Sequence, residues 1–124
     1  MSLYSEKLKD HKWAVKRTHI ILRDENACRY CGRSENLQVH HTVYLAGKEP
    51  WDYEDKFLIT LCDTCHDQVE VNKEKIKWSL AYLQTERPWC LENVVVDIKR
   101  LIRYKTTRNE LTTKLEEINT HFNQ

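Results

Sequence analysis

A chain of 124 residues with a net charge of +1 is long enough for one domain, or for one small domain with an appendage. Hydrophobic residues make up 40% of it, and no apolar run approaches the roughly 18 residues of a membrane span. We therefore expect neither a membrane protein nor a secretory leader. Only two glycines and two prolines interrupt the chain, which favours long helices over a strand-rich fold.

The first half of the chain is predicted to contain one helix and two strands. The helix covers residues 4–24 and carries an apolar stripe that places Trp13 in the core. Gly32 follows a cysteine pair, at a turn that favours a positive φ. Residues 37–44 and residues 57–61 are β-prone, and we expect both segments to be strands.

The second half is predicted to be helical. A helix capped by Asp63 or Thr64 is expected to start near Cys65 and to run toward Trp78, which we interpret as a core residue. After Pro88 an amphipathic pattern predicts a further helix, marked by Val94, Ile98, Leu101 and Ile102 and continued by Leu111, Leu115, Ile118 and Phe122. This helix either completes a thin core, which we favour, or binds a partner or a second copy.

The cysteines predict a metal site rather than disulfide bonds. Four of the five occur as two Cys-x-x-Cys pairs, Cys28 with Cys31 and Cys62 with Cys65, which is the ligand pattern of a closed structural zinc site. The alternative is a set of free thiols in the core. The odd count fits a reduced, cytoplasmic chain better than a secreted disulfide framework. The fifth cysteine, Cys90, is interpreted as a small hydrophobic residue.

Basic and acidic residues are separated along the chain. Residues 7–17 and 99–108 are strongly basic, whereas residues 49–70 are rich in acids. This distribution suits a protein that binds phosphates at its flanks and a cation in its centre, although each basic run could instead be an ordinary solvated helix face. The candidate nucleic-acid contacts are Lys12, Lys16, Arg17, Lys99, Arg100 and Arg103.

Three histidines lie close to the cysteines in the sequence. His40 and His41 are in the first predicted strand, and His66 directly follows Cys65. Four sulfurs close the shell of a zinc ion, so these imidazoles are free for other chemistry. Because adjacent residues on a regular strand point to opposite faces, we expect a bulge or a strand end that turns His40 and His41 toward the helix.

The chain resembles the HNH endonucleases, in the branch with a zinc knuckle. The matching residues, within about residues 13–71, are Cys28-x-x-Cys31, Val39-His40-His41-Thr42 and Leu58-Ile59-Thr60-Leu61-Cys62-x-x-Cys65-His66. The resemblance implies a mostly helical α+β fold: a ββα-metal (His-Me finger) core with a structural zinc site of four cysteines, an N-terminal helix and a C-terminal helical extension. We expect the core domain to span residues 1–87 and the extension residues 88–124.

The resemblance also implies roles for the histidines. His41 matches the general base that takes a proton from the attacking water, and His40 and His66 match ligands of a catalytic divalent ion, Mg²⁺ or Mn²⁺. A histidine is both neutral and basic near pH 7, and an ion with open positions can hold the scissile phosphate. The alternatives are a helix cap for His66, and packing or zinc ligation for His40 and His41.

The chain departs from the family pattern at one position. The family's middle Asn stands five residues before the third cysteine, where this chain has Phe57. That Asn braces the loop and orients the base, so another group must orient His41, and Asp55 or Tyr53 are the candidates. Trp51 and Tyr53 either pack in the loop over the cysteine knuckle, which we favour, or stack on nucleic-acid bases.

Three functional classes are compatible with these features. The favoured one is a cytoplasmic, metal-dependent endonuclease that hydrolyses phosphodiester bonds in DNA, with no membrane association. The second is a zinc-stabilised DNA-binding module whose catalysis is impaired by the loss of the middle Asn. The third is a zinc-stapled scaffold. In each class the C-terminal helix is a candidate surface for a homodimer or a protein partner.

Overall fold

The computed structural model describes residues 3–103 of the chain. Within this range the elements are α1 (Leu3–Lys7), α2 (His11–Arg23), β1 (Leu37–His41), β2 (Leu58–Cys62), α3 (Asp63–Glu86) and α4 (Leu91–Arg103). Short 3-10 turns occupy Pro50–Asp52, Asp55–Phe57 and Pro88–Cys90. The predicted α+β class, mostly helical with a small sheet, is confirmed, and β1, β2 and α3 form the ββα core.

The N-terminal helical segment is divided in two. α2 begins after Asp10, whose side chain accepts a hydrogen bond from the backbone N–H of Lys12 at 2.8 Å and so caps the helix. A single helix over residues 4–24 is therefore wrong. The end of α2 agrees with the prediction, because Glu25 and Asn26 adopt positive φ values of 59° and 55°, which stop a right-handed helix.

The two strands pair antiparallel and in regular register. Leu37 lies opposite Cys62, and His41 lies opposite Leu58. β1 ends at His41 rather than at residue 44, and beyond it the backbone N–H of Thr42 donates to the carbonyl of Phe57 at 2.9 Å. The connection is a loop rather than a tight hairpin, and this loop reaches back to the end of β1.

The core lies where α2 packs on the sheet. Trp13, Ile20, Tyr53 and Leu58 form one buried cluster, which confirms that Trp13 is a core residue. Trp51, which is half-buried, packs against the same cluster, so the aromatic loop packs within the protein, but on α2 and the sheet rather than over the cysteine knuckle as predicted. This packing fixes the β1–β2 loop over α2 and beside the end of β1.

The chain divides into two compact units, Met1–Ile76 and Lys77–Gln124, with the division inside α3. Trp78 belongs to the second unit and is 66% exposed, so its assignment to the core is wrong. α3 continues past Trp78 to Glu86, and the residue that it buries, Cys65, lies in its first turn, far from Trp78 along the helix. α4 agrees with the helix predicted after Pro88, whereas the continuation at residues 111–122 lies outside the described residues.

None of the helices described over residues 3–103 has both the length and the apolar character needed to cross a membrane.

Candidate active site

The four cysteines of the two Cys-x-x-Cys pairs come together in the structure. Their sulfur atoms all lie within 4.8 Å of one another, and the sulfurs of Cys31 and Cys62 are 3.7 Å apart. Tetrahedral zinc with bonds of about 2.3 Å separates its sulfur ligands by about 3.8 Å. This four-cysteine cluster therefore has the spacing of a structural zinc site.

Local backbone structure places these sulfurs. Gly32 has a φ of 83°, as the sequence predicted, and closes the turn of the first pair. The N–H of Arg29 in that turn donates to the carbonyl of Thr60 in β2 at 3.0 Å. Cys62 ends β2, and the N–H of Cys65 in the first turn of α3 donates to the Cys62 sulfur at 3.4 Å. The cluster thus joins the first turn, β2 and α3.

Four thiols at this separation cannot all ionise together. Burial raises the pKa of the Cys65 thiol, and the neighbouring sulfurs raise it further. Burial also opposes ionisation of Cys28, but backbone N–H groups lower the pKa of its thiol to about 6. A cation at the centre would remove this conflict, which is the chemistry expected of a metal site with four thiolate ligands.

Asp24 links α2 to β2 and was recognised from the sequence only as a residue at a helix end. Its side chain is 3% exposed, and its carboxylate accepts two hydrogen bonds of 2.9 Å from Arg23 and one of 3.0 Å from the Thr60 N–H. Burial disfavours the charged form, but Arg23 and Thr60 outweigh it and lower the pKa of Asp24. Through its bonds to Arg23 and to the Thr60 N–H, Asp24 fixes β2, and with it the four-cysteine cluster, against α2.

A second group of metal-ligand side chains consists of His40, His66 and Glu70. One ligand atom of each lies within 4.8 Å of the others. The rings of His40 and His66 have centroids 4.8 Å apart, and His40 Nε2 lies 3.4 Å from Glu70 Oε1. The structure thus brings together the two histidines singled out from the sequence and adds Glu70. His66 and Glu70 are four residues apart on α3, and this spacing is the signal that could have found Glu70.

The electrostatics of this group suit a cation. His40 Nε2 is buried and has no hydrogen-bond partner among the described residues, a costly state for a polar nitrogen. Burial and the nearby His66 lower the pKa of His40, although Glu70 acts in the opposite direction. His40 is therefore a neutral imidazole with a lone pair to share, and the three side chains fit a divalent ion.

His41 lies apart from this group. Its ring stacks on Trp13 with 5.0 Å between centroids, contacts Tyr53 edge-on at 4.8 Å, and has Nε2 3.0 Å from the Pro50 carbonyl oxygen. The expectation that His40 and His41 both turn toward the helix is wrong. β1 ends at His41 as expected, but strand pairing is regular to that residue, so the two side chains take opposite faces.

The contacts of His41 define its tautomer. A carbonyl oxygen only accepts, so Nε2 carries the hydrogen that it donates to Pro50, and Nδ1 keeps its lone pair. Nδ1 lies 3.3 Å from the Tyr4 hydroxyl. Burial lowers the pKa of His41, although the Pro50 carbonyl favours the charged form. His41 is consequently neutral, with Nδ1 as its proton acceptor.

The loop is braced without the family's middle Asn. The Phe57 ring packs against the core cluster, and the Tyr53 hydroxyl accepts a hydrogen bond from the Leu45 N–H at 2.8 Å. Of the two candidates for orienting His41, Tyr53 contacts its ring, whereas Asp55 binds side chains of α2. A backbone carbonyl, that of Pro50, completes the orientation.

His41 and the two histidines of the ligand group, His40 and His66, line one cavity. It has a volume of about 240 Å³, and its lining includes Tyr4, Arg17, His40, His41 and His66. The proton-accepting residue His41 and the two histidines of the ligand group thus line the same space. This shared cavity is the candidate active site.

The basic residues singled out from the sequence have different surroundings. On α2, Lys12 lies over the Trp51 ring, Lys16 pairs with Asp55 at 2.6 Å, and Arg17 donates to the Leu37 carbonyl at 3.2 Å. On α4, in the other unit, an exposed basic surface contains Lys99, Arg100 and Arg103. Contacts within the protein thus already engage the three α2 side chains.

Two strands followed by a helix define a ββα domain, and its four-cysteine cluster and separate histidine–carboxylate group have the spacing of metal ligands. Residues 28–71 match the model of the family described as HNH endonuclease. The predicted resemblance to the HNH endonucleases is thus confirmed over residues 28–71, and the cysteine cluster fits a zinc-binding variant of that family. Comparisons with curated proteins and with solved structures gave no match.

Proposed function

We propose that this protein is a metal-dependent DNA endonuclease that hydrolyses phosphodiester bonds. The observation that carries the proposal is the convergence of His40, His66 and Glu70 beside a cavity that His41 also lines. Metal ligands on one side and a proton acceptor on the other are the two parts that phosphodiester hydrolysis needs.

His40, His66 and Glu70 would hold the catalytic divalent ion. When bound, this ion would neutralise charge on the phosphate and on the departing oxygen. Two imidazoles and one carboxylate leave further coordination positions for other ligands. Two imidazole nitrogens are poorly matched to Mg²⁺, which prefers oxygen ligands, so this donor set is better suited to a transition-metal ion.

His41 would act as the general base. The proton of the attacking water would pass to Nδ1, because Nε2–H is held by the Pro50 carbonyl 3.0 Å away. The water oxygen would then form a bond to phosphorus as the bond from phosphorus to the leaving oxygen breaks. Stacking on Trp13 keeps the imidazole plane fixed during this transfer.

The four-cysteine cluster would hold a structural Zn²⁺. Four sulfurs leave no open position for substrate, so its contribution is to folding. Cys62 ends β2 and Cys65 lies one residue before His66, so the zinc would fix the start of α3 and thereby the position of the catalytic ligands.

DNA would bind through its phosphates. Lys99, Arg100 and Arg103 on α4 are exposed, whereas contacts within the protein must be exchanged before Lys12, Lys16 and Arg17 can bind phosphate. Each phosphate neutralised adds roughly 0.9 to the slope of log affinity against log salt concentration, so binding should weaken steeply with salt.

A second candidate is a zinc-stabilised DNA-binding module without catalysis. It is favoured by Phe57, which stands where the family's middle Asn is expected and whose ring packs into the core instead of contacting His41. The two candidates share the zinc site and the basic surfaces, and they differ in whether DNA is cut.

Supercoiled plasmid distinguishes the two candidates. The wild-type protein with Mn²⁺ or Mg²⁺ should nick or linearise it, and His41→Ala should lower the rate about 100-fold or more. The variant should retain about one zinc per chain and shift DNA in a gel as the wild type does. DNA that is shifted but not cut by the wild type would support the binding module, and equal cutting by His41→Ala would refute the role of His41.

A further inference from the structure

Both ring nitrogens of His41 are engaged by the protein itself. Nε2 donates to the Pro50 carbonyl, so the contact at Nδ1 must be a hydrogen bond donated by the Tyr4 hydroxyl, 3.3 Å away. The hydroxyl therefore occupies the nitrogen that must accept a proton from water in the proposed reaction. Water cannot bind there while Tyr4 stays in place.

We propose that Tyr4 is a reversible cover on His41, which the phosphate backbone of the substrate displaces. The inference rests on the proposed nuclease function and adds a regulatory step to it. With the cover in place His41 cannot activate water, and with DNA bound Nδ1 becomes available. Hydrolysis is thereby confined to the DNA-bound protein.

The segment that carries Tyr4 is suited to move. α1 has only five residues and is joined to α2 by the turn that Asp10 ends. Helices this short are marginal by themselves, so tertiary contacts hold α1 in place. Besides the hydrogen bond to His41, the Tyr4 ring meets His41 edge-on with 6.1 Å between centroids.

A salt bridge also attaches α1 to the β1–β2 loop. Lys7 Nζ lies 2.8 Å from Glu49 Oε2, and the two side chains are 40% and 36% exposed. The pair is only partly buried, so a DNA phosphate can approach Lys7 and replace Glu49 as its partner. Glu49 directly precedes Pro50, so this salt bridge ties α1 to the turn that also holds Nε2 of His41.

The cavity connects displacement to substrate entry. Tyr4 lines the same space of about 240 Å³ as His40, His41 and His66. A phosphodiester that approaches the ligands on α3 must enter the space beside the Tyr4 ring. The phosphodiester that enters therefore displaces the Tyr4 side chain and exposes His41 Nδ1 in the same step.

Chemical modification measures the cover without requiring catalysis. Diethyl pyrocarbonate acylates an unprotonated imidazole nitrogen, and tandem mass spectrometry separates His41 from His40. Tyr4→Phe, which removes only the hydroxyl, should raise the rate at His41 roughly fivefold, as expected for loss of one hydrogen bond. Tyr4→Ala, which also removes the ring, should raise it further. Equal rates in Tyr4→Ala and the wild type would overturn the proposal.

The salt bridge is tested in the same assay. Glu49→Gln should raise acylation of His41, because it weakens the attachment of α1 while Lys7 remains available for DNA. Lys9→Ala removes one charge from an exposed residue near α1 and is the matched control, with no change expected. A Glu49→Gln rate equal to that of the control would show that the salt bridge does not hold the cover.

Cleavage of a short duplex gives the second readout. A closed fraction reduces the apparent affinity for DNA, so Tyr4→Ala should reach half its own maximal rate at several-fold less DNA than the wild type. Half-saturation at the same DNA concentration as the wild type would overturn the cover. If no variant cuts DNA, the proposed function fails, while the acylation rates still decide whether Tyr4 covers His41.

Discussion

His40 Nε2 lies 3.4 Å from Glu70 Oε1, and the two residues come from different elements, β1 and α3. The nitrogen is buried and has no hydrogen-bond partner in the described part of the chain, whereas Glu70 is about half exposed. A neutral imidazole aimed at a carboxylate is a weak contact alone and a strong one around a cation. The pair, together with His66, therefore has the arrangement on which the proposed catalytic metal site rests.

Glu70→Gln should weaken activation by Mn²⁺ while leaving the fold intact. The amide keeps the size of the side chain but removes its charge, so the Mn²⁺ concentration at half-maximal nicking should rise roughly tenfold or more. Glu74→Gln, one turn further along α3 and exposed, is the matched control. Superimposable Mn²⁺ titrations of Glu70→Gln and the control would exclude Glu70 as a ligand.

Removal of the metal from the four-cysteine cluster should unfold the ββα core. Structural zinc contributes on the order of 10 kcal/mol, which is comparable to the whole stability of a typical small domain. Cys31→Ser, or a strong chelator, should abolish zinc content and the cooperative thermal transition followed by circular dichroism. Cys90→Ser should change neither, because Cys90 lies outside the cluster. A cooperative transition that survives zinc removal would contradict the structural role.

The helices, the strands and the four-cysteine cluster could be predicted wherever the signal is local in the sequence. Each Cys-x-x-Cys pair places two ligands within one turn, and the short β-prone segments lead directly into them. The break at Asp10 was harder, because the apolar stripe continues across it while the cap acts on a single N–H group. The core assignment of Trp78 was wrong for a related reason. An apolar residue on a helix favours burial, but the sequence does not show which surface, if any, packs against it.

The orientation of His41 could not be predicted, because it depends on a backbone group. The carbonyl of Pro50 leaves no side-chain signature, and it reaches His41 only through the fold of the β1–β2 loop. The Tyr4 contact likewise joins residues 37 positions apart. The ligand types were therefore evident in the sequence, whereas their hydrogen-bond partners required the tertiary structure.

Phe57→Asn should not improve catalysis, although it restores the residue type of the family. The Phe57 ring packs against the core cluster, and the Pro50 carbonyl already holds Nε2 of His41. We expect a loss of about 2 kcal/mol of unfolding free energy from the lost apolar burial, with no gain in nicking rate. Urea midpoints and plasmid nicking measure the two effects. A clear gain in rate would show that His41 is poorly oriented in the wild type.

Asp24→Asn should destabilise the first unit by about 2 kcal/mol, the value of charge-assisted hydrogen bonds in a buried site. It removes the charged partner of Arg23 and leaves the Thr60 N–H with a weaker acceptor. Asp97→Asn is the matched control, because Asp97 and Arg100 are exposed and 3.7 Å apart, and it should change stability by less than about 0.5 kcal/mol.

The pH dependence of this loss follows from the lowered pKa of Asp24 in the folded protein, where burial is outweighed by Arg23 and Thr60. A lowered folded pKa gives stability that is fully present above the unfolded pKa of about 3.9 and is lost as the pH falls through the folded pKa. Between roughly pH 8 and pH 5.5 the carboxylate is charged in both states, so the free-energy difference between wild type and Asp24→Asn should stay constant. Urea unfolding with zinc present measures this free-energy difference. A difference that halves between pH 8 and pH 5.5 would contradict the assignment of Asp24 as charged throughout this range.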